Sequence, residues 1–102
     1  MRIVMLDQSI IKQVTDIFHG LEGRYTLSSH ISSQREEAAQ MAEFLNDFAS
    51  TSSHITVEQH EADSNTLYFD LIKDDKPTGI SFRGIPNGHE FTSLLLAILN
   101  AD

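Results

Sequence analysis

The sequence predicts an α/β domain in which a four-stranded mixed sheet is flanked by helices, with an extra helix at the N-terminus. Apolar residues follow a helical period in some segments and alternate with polar residues in others. The resulting order is helix, strand, helix, strand, strand, strand, helix. A helix between the first two strands indicates a parallel pair, and a short connection between the last two indicates an antiparallel hairpin. From this order we expect helices on both faces of the sheet.

Three segments have the apolar spacing of helices. They cover residues 7–19, the segment behind Ser33 to about Ala49, and residues 89–100. Asp7 or Ser9 is a suitable N-cap for the first helix. Ser33 and Glu36 have the spacing of a capping box for the second. The third is apolar nearly all round, which predicts burial on more than one side.

Four segments alternate or are rich in branched and aromatic residues, as strands are. They cover residues 24–29, 55–60, 67–72 and 79–84. Residues 28–33 are expected to form a polar loop, and Asp74 to Pro77 a tight connection between the last two strands. A parallel pair across a helix, followed by a hairpin and a final helix, is the thioredoxin-like arrangement.

The composition excludes several classes of function. Fifteen acidic residues against seven Lys and Arg give a net charge of −8, and the basic residues are scattered from Arg2 to Arg83. Nucleic acid and anionic membrane surfaces are therefore not expected partners. The absence of cysteine excludes a thiolate nucleophile, a disulfide and a cysteine-based metal site. No apolar stretch predicts a secretory signal or a membrane span, and a cytoplasmic setting follows by default.

Residues 79–99 resemble the N-terminal region of the alkyl hydroperoxide reductase F subunit, a flavoprotein that reduces a bacterial peroxiredoxin. The specific part is Gly88-His89-Glu90-Phe91-Thr92-Ser93, followed by an aliphatic helix. The opening Met5-Leu6-Asp7 and the order of elements agree with that family. Its N-terminal region has two thioredoxin-like folds in tandem. The first has lost its Cys-x-x-C pair, and the second keeps it and passes electrons from the FAD- and NADH-binding body to the peroxiredoxin.

The resemblance implies that residues 1–102 are the first, cysteine-free fold, a single domain at the N-terminus of a longer protein. FAD and NADH are then cofactors of that parent and not of this fragment, which alone is not an enzyme. The implied partners are the second fold of the same chain and the peroxiredoxin subunit, in a homo-oligomeric parent. Where thioredoxin-like folds place a proline before the third strand, this chain has Ser64-Asn65-Thr66, which indicates a vestigial site.

Glu90 is the residue to which the resemblance gives a role. The matching glutamate of the family lies near the redox cysteines of the second fold, where a carboxylate exchanges protons with a dithiol or raises its pKa. A structural role competes with this one, since Asn87 is a good N-cap and Glu90 stands three residues later. His89 is a weaker catalytic candidate, because a cation at a helix start opposes the helix dipole.

Other polar residues have structural explanations. His19, His30, His54 and His60 do not pair at ligand spacing on one element, so no metal site is expected. Two serine pairs, Ser28-Ser29 and Ser32-Ser33, resemble a nucleophile loop, but helix capping accounts for them. A free-standing interaction module that dimerises through its last helix is the alternative to the half-module. A hydrolase built on serine and histidine has only scattered residues in its favour.

Overall fold

The strands form one mixed sheet, as the order of elements predicts. The computed structural model describes residues 8–63, 66–86 and 89–102. The strands are β1 (Tyr25–Ile31), β2 (Ile55–His60), β3 (Leu67–Lys73) and β4 (Lys76–Arg83), and they lie in the order β2-β1-β3-β4. β1 pairs in parallel with β2 and antiparallel with β3, and β4 pairs antiparallel with β3.

Helices precede, connect and follow the strands at the predicted places. They are α1 (Gln8–Ile17), continued by a 3₁₀ turn (Phe18–Gly20), α2 (Glu37–Ala49) between β1 and β2, and α3 (His89–Ala101) after β4. The extra N-terminal helix is therefore confirmed. Asp7, one of its two expected N-caps, lies outside the described residues, and Ser9 lies within the helix.

The three helices pack on one face of the sheet, so the expectation of helices on both faces is wrong. Residues from all three helices share a single core with alternate residues of the strands. The core comprises Val14, Phe18, Leu21, Tyr25, Leu27, Ile31, Met41, Phe44, Leu45, Phe48, Ile55, Phe69, Leu71, Leu94 and Ile98. A sheet covered on both sides needs nearly continuous apolar strands. In the described part of the chain no helix covers the other face, which carries polar side chains such as Thr26, His30 and Asp70.

Phe48 joins the three helices across the core. Its ring lies edge-on to Phe18 at 5.7 Å between centroids and edge-on to Phe91 of α3 at 5.9 Å. Phe44, one turn earlier on α2, also meets Phe91 edge-on, at 6.2 Å. Edge-to-face geometry sets the positive rim of one ring against the negative face of the next, which adds to the burial of apolar area.

The start of α2 differs from the predicted capping box. β1 continues through His30 to Ile31, where a loop was expected, because its pairing with β2 persists to His30 and its pairing with β3 persists to Ile31. The helix begins only at Glu37, and Glu36 makes no side-chain cap. Instead, the Ser32 hydroxyl accepts a hydrogen bond from the Gln34 amide at 3.2 Å, which stabilises a turn ahead of the helix.

The hairpin between β3 and β4 turns within two residues. Asp74 and Asp75 both have positive φ, 51° and 67°, as a tight turn that follows the twist of the strands requires. Aspartate tolerates this conformation better than most residues. β4 therefore begins at Lys76, three residues earlier than predicted. Pro77 lies inside it, which an edge strand permits.

Within the described part of this chain α3 is buried on one side, and part of its apolar surface is left exposed. Leu94 and Ile98 are buried, whereas Leu96 is 50% and Leu99 39% exposed. In the described part of the chain, no helix has both the length and the apolar character needed to cross a membrane.

Replacing Phe48 with alanine tests its place at the junction of the helices. We expect Phe48→Ala to lower the free energy of unfolding by about 3–5 kcal/mol, because the vacated space touches rings on both flanking helices. The matched control, Ile17→Ala, removes a side chain that is 46% exposed, and should cost less than about 0.5 kcal/mol. Urea denaturation followed by circular dichroism measures both. Equal losses in the two variants would contradict this account of the core.

Candidate functional site

A cleft lies at the edge of the sheet where β1 and β2 end. Parallel strands end at the same edge, and α2 starts there. The cleft has a volume of about 230 Å³, below the range usual for drug-sized ligands. It is lined by Ser29, Ile31, Ser33, Ala38, Met41, Ala42, Gln59, His60 and Glu61. The loop from β1 to α2 is where a thioredoxin-like fold would hold its redox cysteines, so this edge is the candidate site.

Backbone hydrogen bonds occupy the polar groups of that loop. The Ser33 amide donates to the two Glu61 carboxylate oxygens at 3.1 and 3.3 Å. The Arg35 amide donates to the Ser32 carbonyl at 3.1 Å. The Arg35 guanidinium binds Glu37 at 2.8 Å, and this hydrogen bond lowers the pKa of the Glu37 carboxyl. The loop is thus built for a stable turn, and with no cysteine in the chain it performs no thiol–disulfide exchange.

The segment before β3, opposite this loop, has threonine at its last position. The Thr66 amide donates to the Asp63 carbonyl at 2.9 Å, while Ser64 and Asn65 lie outside the described residues. Pro86 is buried after β4, in a different place from the proline of a thioredoxin-type site.

Glu90 and His89 stand in the first turn of α3 and are both exposed. α3 has 13 residues, about 20 Å. Asp102, directly after its last residue, accepts a hydrogen bond from the Gly23 amide just before β1 begins, so the first turn of α3 lies towards the edge where β1 ends. Neither side chain lines the cleft. Asn87, the expected N-cap, lies outside the described residues, and both the capping role and the redox role of Glu90 remain predictions.

The open face of the sheet holds a row of three stacked rings that the sequence did not reveal. His60, His30 and Tyr68 are paired in register on β2, β1 and β3. Their centroids are 4.8 Å apart at both steps, with interplanar angles of 13° and 16°. This distance is the spacing of neighbouring strands, so strand pairing sets the stack. The sequence gives no hint of this stack, because the three residues become neighbours only through the register of their strands.

Carboxylates flank the two stacked histidines. The His30 Nε2 atom lies 3.5 Å from Asp70 and 3.4 Å from the Ser28 hydroxyl, and His60 lies 3.5 Å from Glu58. Within residues 8–63, 66–86 and 89–102, no three His, Cys, Asp or Glu side chains are grouped so as to hold a metal ion.

Of the remaining predicted candidates, His54 and Ser29 make side-chain contacts with backbone carbonyls. His54 precedes β2, and its Nδ1 atom lies 3.0 Å from the Gly23 carbonyl. Ser28 and Ser29 belong to β1, and the Ser29 hydroxyl donates to the Glu58 carbonyl at 3.3 Å. His19 is exposed in the 3₁₀ turn. The helix capping expected of Ser28 and Ser29 is therefore wrong, because both residues lie within β1.

Comparison with known proteins shows which proteins this chain is similar to. Over 93% of its length, the chain is 35% identical to the alkyl hydroperoxide reductase F subunit of Staphylococcus epidermidis. The crystal structure of the NTD_N/C domain of alkylhydroperoxide reductase AhpF from Enterococcus faecalis superposes with a TM-score of 0.83 at 31% identity. The chain is similar to the N-terminal domain of AhpF. The family resemblance and the thioredoxin-like fold predicted from the sequence are both confirmed.

The similarity covers only part of each relative. The chain spans 18% of the S. epidermidis protein and 52% of the E. faecalis domain. A protein named NADH dehydrogenase from Bacillus subtilis is 35% identical over 94% of the chain and is likewise covered to 18%. No protein-family model matches the chain.

Proposed function

We propose that this chain is the first, non-redox thioredoxin-like fold of an AhpF-type flavoprotein, and that it supports and orients a second fold that carries the dithiol. The observation that carries this proposal is the thiol-free turn at residues 32–35, at the place of a redox pair, where the Ser33 amide donates to the Glu61 carboxylate and the Gln34 amide donates to the Ser32 hydroxyl. A domain that keeps the fold but has no thiols for disulfide exchange is suited to packing against the second fold and positioning it.

The comparisons support a tandem arrangement. The E. faecalis domain is named NTD_N/C, and this chain covers about half of it. The proposed parent is a bacterial, cytoplasmic oxidoreductase in which FAD and NADH bind outside these 102 residues and electrons pass through the second fold to a peroxiredoxin. The parent thereby serves peroxide detoxification and cell redox homeostasis.

Within this proposal Glu90 supplies a negative charge to the partner dithiol. Its exposure in the first turn of α3 leaves the carboxylate available to a neighbouring domain. His89, also exposed, is the lesser candidate for the same contact. A carboxylate beside a dithiol opposes formation of the thiolate and can take up the proton that the thiol releases.

Exposed leucines favour a second candidate function, a free-standing module that dimerises through α3. Leu96 and Leu99 remain uncovered on that helix. Paired apolar side chains of this kind mark contact surfaces when they are contiguous. This candidate needs neither a second fold nor a dithiol, and the oligomeric state of the chain in solution separates it from the first.

The isolated chain should show no activity in redox assays. We expect it to reduce insulin disulfides no faster than buffer, and to show no visible flavin band after purification, because it has neither thiol nor a predicted flavin site. Thioredoxin is the positive control for the insulin assay. Reduction clearly above the buffer rate, or a co-purifying flavin, would overturn the proposal.

Glu90→Gln in the full-length parent tests whether the negative charge of Glu90 acts on the partner dithiol. Glutamine keeps the size of the side chain, so the free energy of unfolding should fall by only a few tenths of a kcal/mol. Loss of the negative charge should lower the pKa of the nearby attacking thiol and move the rate–pH profile of peroxiredoxin reduction to lower pH.

The matched control is Asp16→Asn, which makes the same charge change on the exposed surface of α1 and should leave the profile in place. Stopped-flow kinetics across pH and thermal melting measure both properties on each variant. An unmoved profile for Glu90→Gln would leave this residue as part of a helix start and nothing more.

A further inference from the structure

The carboxylate of Asp102 is held by a set of donors that the proposed function does not use. The Glu22 amide donates to its Oδ2 atom at 3.1 Å, and the Gly23 amide donates to its Oδ1 atom at 2.8 Å. The Tyr25 hydroxyl donates to the same Oδ1 atom at 2.8 Å. Three donors from one short segment therefore converge on one carboxylate, which lies nearly eighty positions further along the chain.

The electrostatics of this site favour an anion. The hydrogen bond from the Gly23 amide, followed by that from Tyr25, lowers the pKa of the Asp102 carboxyl, and the nearby Lys73 charge acts in the same direction. The Lys73 ammonium also donates to the Ala101 carbonyl. Burial, and then the neighbouring carboxylate, raise the pKa of the Tyr25 phenol, which thus stays a hydrogen-bond donor. Successive backbone amides that point to one place are a recurrent way of binding anions.

The shape of the site depends on a glycine. A Cβ atom at Gly23 would lie 3.1 Å from Asp102 Oδ1 and 3.0 Å from Lys73 Cε. Both distances are tighter than ordinary contacts, so the missing side chain leaves the space that the carboxylate fills. Next to it, the Arg24 amide donates to a different carboxylate, that of Asp74, at 2.9 Å. The segment before β1 is thus lined with amides that take carboxylate ligands.

We propose that Glu22, Gly23 and Tyr25 form a carboxylate-binding site whose resident ligand is the side chain of Asp102, and that this contact latches the end of α3 to the start of β1. α3 carries Glu90 in its first turn at the other edge of the sheet, so the latch fixes the helix that presents this residue. Because the donors recognise a carboxylate and not a particular side chain, a small external carboxylate occupies the site once the Asp102 side chain is shortened.

Chemical rescue tests this site. Asp102→Ala and the unsubstituted chain of residues 1–102 are each made with the same Gly-Ser-Gly-Ser extension, which keeps the terminal carboxylate away from the donors. We expect the variant to melt about 5–10 °C lower, since it leaves the converging donors without their ligand. Sodium acetate at constant ionic strength should restore part of the loss with a saturable dependence, whereas chloride should not. Asp16→Ala, which changes the charge equally at an exposed position, should show no such response.

The Tyr25 phenol gives a second readout that does not depend on stability. In Asp102→Ala the phenol should ionise at lower pH by ultraviolet absorbance, and acetate should reverse the change. If that variant does not fold, Asp102→Asn replaces it, because asparagine keeps the size of the side chain and removes the charge. For Asp102→Ala, a melting temperature equal to that of the unsubstituted extended chain, or a loss that acetate restores no better than chloride, would overturn the proposal. For Asp102→Asn, whose side chain still fills the site, an unchanged ionisation of the Tyr25 phenol would overturn it.

Discussion

β1 is the element on which the rest of the structure depends. It lies between β2 and β3, so the parallel and antiparallel halves of the sheet meet only through its backbone. Tyr25 and Leu27 project from it into the core and are almost fully buried. The amides just before β1 donate to the Asp102 carboxylate, and the candidate site lies where the strand ends. Any change that shifts β1 by one residue would turn its apolar side chains to the open face.

The positions of the apolar residues in β1 also explain why the described helices cover one face of the sheet. The apolar residues of this strand share one core with residues of α2 and α3, while the intervening Ser28 and His30 lie on the same face as Asp70. On that surface the strand spacing stacks His60, His30 and Tyr68. The sequence of β1 therefore contributes both to the edge of the sheet that carries the cleft and to the open face. Neither carries a thiol, which is why the proposed role is one of support.

Local patterns in the sequence predicted most of the elements. The three helices and four strands follow from apolar periodicity, and the order of elements correctly gave the mixed sheet. Errors arose where short-range and long-range interactions compete. Ser33 and Glu36 have the spacing of a capping box, yet Glu61 holds the Ser33 amide from another part of the chain. Pro77 resembles a loop residue, and only its edge position allows it in β4.

Contacts between distant residues could not be read from the sequence. The ring row needs the register of three strands, and the contact of Asp102 with Gly23 needs the direction of α3 across the sheet. The site itself was found mainly through resemblance, because a turn that lacks its reactive residues leaves no chemical pattern. The redox role of Glu90 could not be read from the sequence either. An exposed carboxylate at a helix start gains such a role only from the groups that lie beside it.

Removing this chain from its proposed parent is the most direct test of the account. The rate of peroxiredoxin reduction is measured for the full-length protein and for a version without residues 1–102, with flavin content and thiol titration confirming that both are otherwise intact. The account predicts that deletion lowers the rate although the dithiol and the flavin remain, because the second fold has lost the domain that orients it. An undiminished rate in the shortened protein would contradict it.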